Sequence, residues 1–169
     1  MSRTITANII RFVGLLLFQT LILNQVELHG IINPYIYPLF ILLLPFETPK
    51  WLLLFLGFAM GISVDFFTNT PGLHAAASVL IAYLRPTVLL LDKPISGYES
   101  FHQPSIASLG FNWFVFYAGV CITIHHLFFF FLESYSFAFF FYTLTKVIAS
   151  TIMSLIIIIL YQYLFYPKR

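Results

Sequence analysis

Unbroken apolar runs recur along this chain, from FVGLLLFQTLIL at residues 12–23 through WLLLFLGFAMGISV at 51–64 to SLIIIIL at 154–160. Runs of this kind are stable in lipid, where every backbone N–H and C=O must find its partner inside the protein, and helices meet that demand from their own backbone. Only 8% of the residues are charged, against about 25% in soluble domains. The fold class that follows is an all-α integral membrane protein with a single polytopic domain over residues 1–169.

A span needs about 20 apolar residues. On that measure helices are expected at about 8–26, 33–46, 51–68, 72–91, 111–132 and 138–165, six in all. The second is the weak member. Its 14 residues would reach only about 21 Å as a helix, short of a hydrocarbon core of about 30 Å. It also carries Pro34, Pro38 and Pro45. Asn33-Pro34 suits a helix start, but Pro38 removes an internal hydrogen bond, so a bent or partly re-entrant element covered by neighbouring helices is expected. The stretch 92–110, with Pro94, Gly97, Pro104 and Gly110, reads as a loop with a short interfacial piece. The N-terminus, where Arg3 and Arg11 lead into an apolar run, resembles a signal peptide, but Asn24, Gln25 and Glu27 follow with no small-residue cleavage site, so an uncleaved helix is expected.

Basic residues test the count. With the N-terminus inside, Arg3, Arg11, Lys50, Arg85, Lys93, Lys168 and Arg169, seven of the eight, fall on the inner side, and Lys146 alone is left over, inside the sixth segment. An even number of crossings with both termini cytoplasmic is therefore expected. A net charge of +2 without a clustered basic face argues against a nucleic-acid partner. The lone Cys121 offers neither a disulfide nor a Cys-rich metal site.

With that orientation Asp65, Asn69, His74, His125, His126 and Lys146 all fall in the outer half of the bilayer. Gly57, Gly61, Asp65 and Asn69 follow at steps of four, so one face of the third segment is small and turns polar outward. Ala75 and Ala76 offer close approach on the fourth. Thr143, Lys146, Ser150 and Ser154 share a face of the sixth. An ionisable cluster is expected, most simply an Asp65–Lys146 contact with histidines nearby, serving either as a structural pair or as part of a proton or solute path. Thr68 to Thr70 with Pro71-Gly72 is expected to be turn construction. His125 and His126 point about 100° apart on a helix and suit one metal poorly. No cofactor is expected. The aromatic runs near 128–131 and 139–141 are expected to face lipid or a partner helix. No GxSxG, HExxH, Walker or dinucleotide pattern occurs, so no enzyme is expected.

GISVDFFTNTPGLHAAASVLIAYLRP, residues 61–86, resembles the G-x-x-x-D-x-x-x-x-x-P-x-G-x-H-A pattern of the bacterial rod shape-determining MreD family, with a more compact turn here, TNTPGLH, in which Gly72 follows Pro71 directly. INPYIYPLFILLLPFETPKW, residues 32–51, is similar to the form in Bacteroidetes-type members. The resemblance implies a non-enzymatic inner-membrane scaffold of the cell-elongation machinery that makes peptidoglycan. Its partners would be MreC and, within the complex, MreB, RodA and its transpeptidase. The implied six-helix fold resembles the substrate-binding S-components of energy-coupling-factor transporters, which supplies the alternative expectation of a small-solute (vitamin)-binding subunit. An intramembrane enzyme using His125 or His126 is a third, less supported expectation.

Overall fold

The computed structural model describes residues 2–25, 30–95, 97–98 and 103–166, the first three of these by backbone alone. Lys168, Arg169, the side chain of Arg3 and part of the 92–110 connection lie outside the described residues. Within them the fold is helical, without a strand. Helix α1 (Ser2–Leu21) ends in a 3-10 turn at Leu23–Gln25. A four-residue helix α2 (Leu39–Leu42) follows, then α3 (Lys50–Thr68), α4 (Leu73–Leu91), a short α5 (Ile106–Leu109), α6 (Phe111–Ser134) and α7 (Phe140–Phe165). Among the described residues five helices, beginning with the α1 region, are long and apolar enough to cross a membrane.

The periodicity of each long helix explains its placement. On α7, Ile148, Ile152 and Ile156 at steps of four are about half exposed, while Val147, Ser150, Ser154 and Ile158 are buried. One stripe therefore faces outward and its opposite packs inward. On α6 the buried residues run Trp113, Tyr117, Cys121, His125 and Phe129, again at steps of four. Phe129 and Phe130 lie in the core, against the expectation of a lipid-facing run, whereas Phe139 and Phe141 are exposed as expected.

The expected second helix is corrected. Only Leu39–Leu42 is helical, and the chain from 33 to 36 has no regular structure. Yet Tyr35 through Leu44 are all buried. The segment threads between the long helices from the end of the bundle near Asn24 toward the end near Arg11 and Arg85. A chain freed from the helix can advance up to about 3.3 Å per residue against 1.5 Å in a helix, so a non-helical first part can span a longer path with the same residues. The prolines are the local cause, and the cost is a set of backbone groups that the segment cannot satisfy by itself.

Helices supply the missing partners. Ser150 Oγ accepts the Asn33 N–H at 3.0 Å, Ser154 Oγ the Tyr35 N–H at 2.9 Å and Gln19 Oε1 the Ile36 N–H at 2.8 Å. At the other end Tyr117 donates to the Leu42 carbonyl at 3.1 Å, Arg11 to that of Leu43 at 3.3 Å, and Arg85 to that of Leu44. Arg11 also bonds the Tyr166 hydroxyl, which places the end of α7 beside the first half of α1.

Candidate functional site

Asp65 is the pivot of the α3–α4 hairpin. The four N–H groups that open a helix lack internal partners and carry the positive end of its dipole. Asp65 Oδ1 accepts from the His74 N–H at 3.0 Å and Oδ2 from the Ala75 N–H at 2.9 Å, so the carboxylate of one helix caps the start of the next. Thr70 Oγ1 adds a third donor at 2.8 Å. The carboxylate is 4% exposed and stands where a negative charge is most favoured.

Gly61 makes that reach possible. A Cβ there would stand 2.4 Å from Ala75 Cα and 2.5 Å from the His74 carbonyl oxygen, so the helices touch backbone to backbone one turn below the carboxylate. Gly57 continues the contact less tightly, its imagined Cβ being 3.0 Å from Ala82 Cβ. Ala75 is buried in this seam, while Ala76 is exposed and takes no part in it. The reversal itself uses Asn69 at φ 54° and Gly72 at φ 84°, both left-handed, with Pro71 exposed between them. Asn69 is thus the end of α3, exposed, rather than a member of a buried polar cluster.

Below the cap lies a buried ring of aromatic and imidazole groups. The rings of Tyr35 and Tyr37 both lie against His74 and His125. The Tyr37 hydroxyl bridges His74 Nδ1 at 2.9 Å and His125 Nε2 at 2.5 Å, so it donates to one imidazole and accepts from the other. His74 stacks on Phe129 at 4.4 Å between centroids. His126 Nδ1 lies 2.8 Å from the Ile122 carbonyl, which can only accept, so that nitrogen carries the proton. Its Nε2 then accepts from Ser154 at 3.2 Å, and Ser154 in turn holds the Tyr35 N–H. His74, His125 and His126 are buried and tie the threaded segment to α4, α6 and α7.

Lys146 does not meet Asp65. Its ammonium pairs with Glu133 Oε2 at 2.8 Å and lies 4.7 Å from the centre of the Phe130 ring. The reason is connectivity: α6 and α7 form a hairpin that brings Glu133 opposite Lys146, whereas Asp65 is already committed to α4. Of the expected cluster, then, His74, His125 and His126 come together, Asp65 holds the backbone N–H of His74, and Lys146 belongs to a separate pair.

Sequence reasoning passed over Gln19, Tyr35, Tyr37, Tyr117 and Glu133, and gave Arg11 and Arg85 no role beyond orientation. One signal was available. A proline-broken apolar segment in lipid needs side-chain partners, and the small and polar stripe Ser150–Ser154 on the last helix supplies two of them. No group of three or more metal-ligating side chains is found among the described residues. No protein-family model matches the chain, nor does a curated protein or a solved structure.

Proposed function

We propose that this chain is a non-enzymatic membrane scaffold of the rod-shape type, holding a single-pass partner of the MreC kind and linking MreB filaments on the cytoplasmic side to RodA and its transpeptidase. The observation that carries the reading is the interdependence of the pattern residues in 61–86. Gly61 permits the helix contact, Asp65 caps α4 through His74 and Ala75, and the turn between them uses Pro71 and Gly72. A motif of this kind specifies one helical hairpin, and a hairpin of fixed geometry is what a docking platform requires.

In this reading the threaded segment counts as a sixth crossing, and Lys50, Arg85 and Lys93 mark the cytoplasmic side of the inner membrane. Binding proceeds by packing. The outer surface of α3 and α4 presents Phe58, Ile62 and Tyr83 around Ala76 and Gly72, a shallow apolar groove into which a partner's transmembrane helix fits. Depletion in a rod-shaped host should give rounded cells, and purification in mild detergent should bring MreC with it. Unchanged cell shape together with purification free of MreC would refute the reading.

A further inference from the structure

A cavity of about 330 Å³ opens at the end of the bundle where α3 meets α4 and α6 meets α7. At about 30 Å³ per water-sized group this holds roughly ten heavy atoms. Its wall combines the Glu133–Lys146 pair, Asn24, Asn33, His74 and the ring of Phe129. Within a chain this apolar, so many polar groups on one cavity are a concentration that the packing of the helices does not require.

The unused valences define a chemistry. Lys146 has three N–H donors, of which one goes to Glu133 Oε2 and another faces the Phe130 ring. Glu133 Oε1 is left able to accept. Asn24 Oδ1 is taken by Gln19 at 2.8 Å, which leaves its NH2 as a donor. Asn33 Oδ1 has no hydrogen-bond partner among the described residues. One fixed cation and one fixed anion stand 2.8 Å apart, so the pair's net charge is zero while both signs are presented. A ligand with a net charge would leave a partly desolvated charge unbalanced, whereas one carrying both signs balances each in place.

We propose that this cavity binds a small zwitterion, its ammonium on Glu133 and its carboxylate or phosphate on Lys146, with apolar atoms against Phe129. The proposal does not rest on the scaffold reading. Two sources share this chemistry: a free amino acid, and the headgroup of phosphatidylethanolamine entering from the bilayer.

The test uses the full chain in phosphatidylglycerol nanodiscs. Calorimetric titration with L-leucine and L-phenylalanine examines the first source, and native mass spectrometry with added phosphatidylethanolamine the second. Saturable binding of either zwitterion is expected, weakened at least tenfold by Glu133→Gln and by Lys146→Gln. For the amino acid, phenethylamine and 3-phenylpropionate, which each lack one charge, should bind at least tenfold more weakly. Should Lys146→Gln not run as a monodisperse species, Glu133→Gln carries the test, since that carboxylate is at the cavity rim. Absence of saturable binding from both sources would overturn the proposal. Binding indifferent to the Glu133 variant, or equal for the one-charge analogues, would overturn it too.

Discussion

Replacing Asp65 separates a helix cap from a ligand or proton site. Asp65→Ala removes the acceptor of two backbone N–H groups and of the Thr70 hydroxyl, at 3.0, 2.9 and 2.8 Å. Hydrogen bonds to a charged acceptor contribute about 1.5–3 kcal/mol each, while neutral interhelical bonds in membranes average about 0.6 kcal/mol. Taking about 1.5 for each backbone bond and about 0.6 for the hydroxyl gives a loss of about 3.6 kcal/mol. Asp65→Asn keeps one acceptor but turns an NH2 toward the other N–H, so it should cost about 2 kcal/mol, between wild type and Ala. Thr70→Val should cost about 0.6 kcal/mol. Reversible unfolding in mixed micelles, followed by far-ultraviolet circular dichroism, measures the series. An Asp65→Ala protein within about 0.5 kcal/mol of wild type would refute the cap, as would an Asn variant no better than Ala.

Three further outcomes follow from the geometry. Gly61→Ala should destabilise by about 2–4 kcal/mol or block folding, Gly57→Ala by about 1 kcal/mol, and Gly14→Ala, which has no neighbour within 4 Å, should be neutral or slightly stabilising, as read by the same unfolding assay. Ser150→Ala and Ser154→Ala remove the hydroxyls that accept from the Asn33 and Tyr35 amides, so each should cost about 1–3 kcal/mol and speed hydrogen exchange at its own amide. The exchange Glu133→Lys with Lys146→Glu should restore stability lost in either single variant, whereas Asp65→Lys with Lys146→Asp should not, and thermal unfolding in detergent decides between the two pairings.

The long spans were legible in the sequence because lipid imposes a length and composition rule on each helix separately, without reference to its neighbours. The turn at Pro71-Gly72 and the packed face of Gly57 and Gly61 were legible for a similar reason: four-step spacing and turn chemistry act within a few residues. The second segment shows where that stops. Its prolines announced a broken helix, but nothing local could say that Gln19, Ser150 and Ser154 would take its amides, since those partners lie from 17 to 119 residues away.

The charged residues divide in the same way. The sequence by itself determined that Asp65 and Lys146 had to be compensated, because an ionised group in hydrocarbon costs several kcal/mol wherever it stands. It did not determine by what. Any donor or acid at similar depth would answer the demand, and depth is all that spacing along a helix provides. Only the tertiary structure decided that the Gly61 contact brings the start of α4 within reach of Asp65, and that the α6–α7 hairpin turns Glu133 toward Lys146. Compensation is a property of a residue and its solvent, whereas the choice of partner is a property of how helices are placed against one another.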